Sequence, residues 1–309
     1  MLESKANNDT YFFSVCVETF NRSSTIAEVM RNIIGQTCQD FELIVVDNGS
    51  TDETLDLISE ILKNFDPERL TIVRDSFTEN EMVRWNRPIK LARGRHIAIC
   101  EGDDYFSQNH LELAKVAIQR FHTRNFHVYT TELKSFSLIS EGQNVDLPSR
   151  SMQRNLGMFR WCPAPSQVIF SRLINGVPFL FDINAHYAGE YSLYEAALST
   201  DGILIRNQMD TVIRGYRYYP RNYSHIVDAV QFYKKNKKSN YMDPYARKAA
   251  RDYLARTSLY FFVQQGVQKR LDILLLATFF RFASPLDMSV YVKTIRGALA
   301  FSTHMKNSK

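Results

Sequence analysis

The stretch CEGDDYF, residues 100–106, places three carboxylates, Glu101, Asp103 and Asp104, within four positions directly after the apolar run Ile97-Ala98-Ile99. Charge at the end of a buried strand is costly unless it is paired or coordinates a metal. Carboxylate oxygens are hard ligands, suited to Mg2+ or Mn2+ that bridges phosphate oxygens. Two more polar clusters follow apolar runs in the same way: Glu18-Thr19-Phe20-Asn21-Arg22 after YFFSVCV, and Asp47-Asn48-Gly49-Ser50 after FELIVV. An acid such as Asp47 can accept hydrogen bonds from a heterocyclic N–H or a ribose hydroxyl. Phe20 offers an apolar face to a flat ring. Taken singly, each cluster is most often a turn or a helix cap; three at one edge of one sheet would make one site.

The surrounding pattern supplies such an edge. Residues 11–17, 41–46, 70–73 and 96–99 read as strands, and helices are expected from Ser23 or Ser24 to Gly35, from Ser50 or Thr51 onward, over Pro88–Arg93 and over Leu111–Phe121. Alternation of strand and helix with short connections predicts a parallel sheet covered on both faces. Ligands of such sheets bind at the carboxyl ends of the strands, where all three polar clusters fall. From about residue 225 the apolar spacing becomes helical, over Tyr245–Val263 and Gln268–Phe282.

Composition sets the outer bounds. The 309 residues are 45% hydrophobic and 23% charged, an ordinary globular balance. The cysteines Cys16, Cys38, Cys100 and Cys162 form no CxxC pair, so neither a zinc site nor a disulfide framework is indicated, and a reducing cytoplasmic setting is expected. The polar start MLESKANNDT has no apolar core of a signal peptide, and the run Ile273–Phe280 is far short of the ~20 residues of a spanning helix. Neither GxGxxG nor GxxxxGK[ST] occurs, which argues against a Rossmann dehydrogenase and a P-loop NTPase; HExxH and GxSxG are also absent. The net charge of +5 is unevenly spread, with residues 1–82 acidic and Lys234, Lys235, Lys237, Lys238, Arg247, Lys248 and Arg251 forming a basic group. Such a group suits nucleic acid, an anionic membrane surface or a polyanionic substrate; its plain reading is a solvated helix face.

Five pieces in order, SVCVETFNR, FELIVVDNGSTDET, NRPIKLARGRHIAICEGDDYF, FDINAHYAGEYSLYEAAL and YRYYPRNYSH, resemble the family 2 glycosyltransferases of GT-A fold across roughly residues 12–225. The resemblance implies an α/β, Rossmann-like, mixed and mostly parallel sheet in a domain over residues 1–225, followed by a helical region over 226–309. It implies an inverting, metal-dependent transfer from a nucleoside diphosphate sugar, expected to be UDP-linked, to the hydroxyl of a saccharide or lipid-linked saccharide. Glu18, Thr19, Phe20, Asn21, Asp47, Asn86, Glu101, Gly102 and Arg217 would then bind the donor, Asp103 and Asp104 would hold Mn2+ or Mg2+, and Glu190 would be the catalytic base. Four positions depart from the family pattern. Glu101 replaces the usual first Asp, and Glu190 stands where the base is normally Asp, with Glu195 its rival on helical spacing. Trp85-Asn86 replaces Arg-Asn, with Arg84 one position earlier, and Tyr216-Arg217-Tyr218-Tyr219 lacks the common histidine, leaving His225 as a substitute. The departures at Trp85, Tyr219 and Glu190 motivate a rival reading as a non-catalytic GT-A-fold binding protein. A nucleotidyltransferase is a second rival, but it would want a Gly-rich loop that SVCVETFNR lacks. No nucleic-acid partner is expected. A peripheral position on the inner membrane face is expected from the lysines, and ILLLATFF is expected to pack internally or in a homodimer.

Overall fold

The computed structural model describes residues 10–134, 165–184, 190–214 and a scatter of residues between 230 and 295. Four runs form the first strands of its sheet: β1 (Phe13–Thr19), β2 (Phe41–Asp47), β3 (Leu70–Arg74) and β4 (His96–Glu101). All four lie parallel, in the order β3-β2-β1-β4. Every residue of β2 is buried, the pattern of a strand covered on both faces. Phe13, Val15, Val17, Leu43 and Val45 share one core with Ile26, Val29, Met30 and Ile33 of helix α1 (Ile26–Ile34), Ile58 and Leu62 of α2 (Thr54–Leu62), and Leu111, Ala114 and Ile118 of α4 (His110–Gln119). Helix α3 (Glu81–Leu91) buries Met82, Trp85 and Ile89 and packs against β1 and β2.

Beyond β4 the sheet becomes mixed. It continues through β7 (Val168–Ser171), β6 (His127–Lys134), β10 (Ile203–Arg214) and β5 (Asp104–Phe106), with β7 antiparallel to both neighbours and β5 antiparallel to β10. Strands β8 (Leu173–Ile174) and β9 (Val177–Pro178) form a separate hairpin, and helix α5 spans Glu190–Ser199. The mixed sheet expected from the resemblance is present.

Two helix starts differ from expectation. Helix α3 begins at Glu81, seven residues before Pro88, because the Asn80 side chain accepts the Val83 N–H at 3.1 Å as a cap. Pro88 is tolerated because it sits in the last turn and leaves only the Arg84 carbonyl without its helical donor. Helix α2 begins at Thr54 because Ser50 turns back onto Asp47, and Asp52 instead accepts the Thr54 N–H at 3.1 Å.

By internal contacts the chain divides into one unit of Met1–Arg154, Pro163–Ala185 and Ser192–Tyr218, and a second of Asn155–Cys162, His186–Tyr191 and Tyr219–Lys309. Within the second unit, Leu254, Ala255, Ser258 and Leu259 are buried at helical spacing while Lys234, Lys237, Lys238, Lys248 and Arg251 are exposed. The Phe282 ring meets Tyr233 edge-on at 5.6 Å and Phe279 meets Tyr291 at 5.2 Å, so these aromatics pack internally. No helix among the described residues is long and apolar enough to cross a membrane.

Candidate functional site

Strand register brings the three polar clusters together. Thr19 pairs with Asp47, Glu18 with Glu101, and Asp47 in turn with Arg74, so four neighbouring strands end at one level. The turn after β1 is held by Asn21, whose φ of 50° is left-handed, a conformation that a short polar side chain tolerates. Its N–H donates to Ser50 Oγ at 2.9 Å, and its Oδ1 accepts the Thr51 N–H at 2.9 Å. The Phe20 ring packs on Phe77 at 4.8 Å, and Phe77 is 54% exposed, an open aromatic wall at the mouth of the site.

The acidic turn after β4 is fixed from several sides. The Glu101 N–H donates to Ser166 Oγ at 2.9 Å, and Thr25 Oγ1 donates to the Gly102 carbonyl at 2.9 Å. A Cβ on Gly102 would lie 3.0 Å from Thr19 Oγ1, so a glycine lets this turn approach β1 closely. Thr19 Oγ1 itself is buried and has no hydrogen-bond partner among the described residues.

Arginines supply the positive charge. Arg22 lies 3.3 Å from Asp103, Arg84 lies 3.1 Å from Glu18, and Arg87 lies 2.8 Å from Asp75. Arg87 also donates to Asn48 Oδ1 at 2.8 Å. Burial pushes the Glu18 carboxyl up from its usual range against the opposing pull of Arg84 and Arg22, while Asp103 adds to the rise. Burial, then the charges of Asp104, Glu101 and Asp103, push the Cys100 thiol well up, so Cys100 is a packed core residue.

Three expected site residues have local duties. Asp47 is fully buried; its Oδ2 accepts the Ser50 N–H at 2.9 Å and its Oδ1 accepts the Ser50 hydroxyl, which shapes the turn. Asn86 exchanges both amide groups with the Phe181 backbone at 2.8 Å, pinning the segment after β9. Asp104 opens β5 at 1% exposure, with its carbonyl beside the Cys100 thiol at 3.4 Å. Asp104 is enclosed in the sheet, whereas Asp103 is 13% exposed opposite Arg22. No three His, Cys, Asp or Glu side chains among the described residues group to hold a metal ion. Mg2+ and related hard cations need no such cage when a substrate phosphate supplies oxygens beside one or two carboxylates. Asp103, with Glu101 nearby in the same turn, fits that requirement.

Glu190 is the first residue of α5, and its side chain lies outside the described set. Arg217 and His225 lie outside the described residues. Arg74, Phe77 and Arg87 were not anticipated. Only the i, i+3 spacing of Arg84 and Arg87, off the apolar positions Met82, Trp85 and Ile89, hinted at a basic face on α3.

A mixed, largely parallel sheet with its polar turns gathered at the ends of β1, β2 and β4 is a GT-A fold, and solved structures share it. Staphylococcus aureus TarS 1–349 in complex with UDP-GlcNAc matches with a TM-score of 0.66 at 16% identity, over 92% of this chain and 81% of that one. The mannosyltransferase PcManGT from Pyrobaculum calidifontis, in complex with GDP-Man and Mn2+, matches with a TM-score of 0.58 at 14% identity, over 95% and 86%. Within that fold, residues 14–126 match the family described as Glycosyl transferase family 2, so the resemblance read from the motifs holds over that region. A PGL/p-HBAD biosynthesis glycosyltransferase of Mycobacterium bovis is 39% identical over 92 residues, 30% of this chain and 35% of that protein. The UDP-Glc:alpha-D-GlcNAc-diphosphoundecaprenol beta-1,3-glucosyltransferase WfaP of Escherichia coli is 29% identical over 93 residues, 30% and 36% of the two chains. The similarity thus spans about a third of the length of these curated relatives.

Proposed function

We propose that this protein is an inverting glycosyltransferase that moves a sugar from a UDP-sugar to the hydroxyl of a saccharide or lipid-linked saccharide. The register that sets Glu18 beside Glu101 and Thr19 beside Asp47 carries this reading, because it makes one ligand edge from three separate motifs. Phe20 and Phe77 give the nucleobase an apolar wall. Asp47, by fixing Ser50, keeps the turn beside that wall in shape, and Thr19 offers a buried hydroxyl with no protein partner among the described residues. Asp103 is the carboxylate that would hold Mn2+ or Mg2+ together with the donor's phosphates, and Glu101 stands second to it. When bound, the ion would supply Lewis-acid stabilisation of the departing diphosphate. Glu190 is assigned as the base that takes the proton from the acceptor hydroxyl as that oxygen attacks the anomeric carbon, so that one displacement inverts the centre. The acceptor class draws on the activity for which the E. coli relative is named. Residues 1–225 are taken as the transferase domain, with residues 226–309 as its helical companion.

The test is a panel of nucleotide-sugars scored for thermal protection, with and without Mn2+, followed by product detection on saccharide and lipid-linked acceptors. A ligand that binds only the folded state raises apparent stability. A UDP-sugar is expected to protect more strongly with Mn2+ and to be turned over. Absence of protection and of transfer across the whole panel would overturn the reading.

A further inference from the structure

Among the described residues, Arg84 is an arginine with a buried donor, Nε, that lacks an aligned acceptor. Its side chain is only 24% exposed, and its ionic partner among the described residues, Glu18, is 13% exposed. The Nε to Oε1 separation is 3.1 Å, yet among the described residues neither of these buried atoms has an aligned hydrogen-bond partner. A guanidinium carries five donors in a rigid fork. Keeping Nε buried with no aligned acceptor is costly unless something else completes it.

The setting says what that something is. Glu18 is opposite Glu101 in the β1–β4 register, and Arg22 and Asp103 also act on it electrostatically. Arg84 thus belongs to the charged group around the acidic turn. The aromatic wall of Phe20 and Phe77 forms the face suited to a base. An acceptor at Arg84 should be anionic, with paired oxygens that match a planar fork, and a phosphate has that geometry.

We propose that Arg84, held in readiness by Glu18, binds the diphosphate of the donor and shares with the metal the charge that develops on it. This rests on the donor being a nucleoside diphosphate sugar. In the free protein Glu18 occupies the guanidinium loosely; on binding, the fork turns its aligned donors to phosphate oxygens. The diphosphate is therefore gripped by the protein as well as by the ion, so binding survives removal of the ion better than a purely metal-bridged contact would.

The experiment measures binding calorimetrically. It takes whichever of UDP, GDP or dTDP protects the wild type best, together with its monophosphate and its nucleoside, each in EDTA and in Mn2+. The proteins are wild type, Arg84→Gln, Arg84→Lys and Glu18→Gln, each checked for an unchanged melting profile. Arg84→Gln is expected to weaken the diphosphate at least about tenfold, more in EDTA than in Mn2+, and to leave the nucleoside unchanged. Arg84→Lys, which keeps the charge but not the fork, should recover part of the loss. Equal diphosphate affinity in wild type and Arg84→Gln, or equal losses for diphosphate and nucleoside, overturns the assignment while leaving the proposed transferase standing. If Arg84→Gln fails to fold, Arg84→Lys decides the matter, and its unchanged affinity in EDTA overturns the assignment. If no diphosphate binds the wild type, the transferase reading and this inference fall together.

Discussion

Two carboxylate–arginine pairs stand at opposite edges of the same sheet, and they are built differently. At the amino-terminal edge Glu42 is 1% exposed and fully engaged: Oε1 accepts from Ser14 Oγ at 2.7 Å, Arg93 N at 2.6 Å and Gly94 N at 3.1 Å, while Oε2 accepts from Arg93 Nε at 2.8 Å. At the carboxyl-terminal edge Glu18 meets Arg84 at similar range with no aligned bond. The completed pair fastens β1, β2 and the start of β4 to one another. The incomplete pair is left with hydrogen-bonding capacity for a ligand. Residues of similar type, on adjacent strands, do structural work at one edge and are held in reserve at the other.

The most direct way to break this contrast is to remove each acid. Glu42→Ala strands several buried donors and should cost about 3–5 kcal/mol of unfolding free energy. Glu18→Gln should change it by no more than about 1 kcal/mol, because its carboxyl is already disfavoured as an anion and holds no aligned bond. Denaturant unfolding of both variants checks the ordering, and comparable losses would erase the distinction between the edges. A second test is Glu190→Gln. Nucleotide-sugar binding should persist while transfer falls on the order of 10²-fold or more, since an amide cannot take the proton. Glu195→Gln, made in parallel, should be nearly silent, and the opposite result would move the base by five positions.

Asp103→Asn comes next. Transfer should fall on the order of 10²-fold at limiting Mn2+, because a neutral amide is a poor ligand for a hard cation. Steady-state rates against Mn2+ concentration read this directly. A titration sharpens the comparison further. His96 opens β4 at the amino-terminal edge, and burial, with the neighbouring His127, pulls its pKa down to about 3; burial alone does the same to His110, also to about 3. A histidine whose folded pKa lies below its unfolded value near 6.5 contributes stability that is fully present above that value. That stability is lost as pH falls from about 6.5 toward 3, by up to roughly 1.4 kcal/mol per pH unit per histidine. His96→Phe should flatten the slope of unfolding free energy over that window, and an unchanged slope would remove His96 as a contributor. The smallest effect is expected in the second unit. Lys234, Lys237 and Lys238 are exposed while Phe282 is buried. Any attraction to anionic vesicles should therefore be purely ionic, about 1 kcal/mol per lysine, and abolished by salt. Flotation of wild type and of the three-site Gln variant measures it.

Strands β1, β2 and β4 were legible because FSVCV, FELIVV and HIAIC are short, predominantly apolar runs, as a strand covered on both faces requires. The motif-bearing turns were legible for the same reason, since they mark where those runs stop. What escaped depends on contacts across the chain. Strand β5 has three residues and exists only through its pairing with β10. The start of α3 was obscured by Pro88, which suits a first turn better than a last one. The enclosure of Asp104 follows from β5 closing the sheet beside it, and the Arg84–Glu18 meeting depends on how α3 docks over β1. Neither leaves a local pattern.

The pairing of Asp104 with Arg214 also orders events during synthesis. The parallel half, β1 to β4, is complete once about residue 101 has been made, but the strand that anchors the far side of the acidic turn arrives only with residues 212–214. Pairing across so long a loop carries a larger closure entropy than the local turns before it. A nascent or proteolysed chain ending before β10 would keep the Thr25 and Ser166 bonds to the acidic turn but lack the pairing of β5. On the proposed reading, donor-dependent activity would follow the arrival of that last strand.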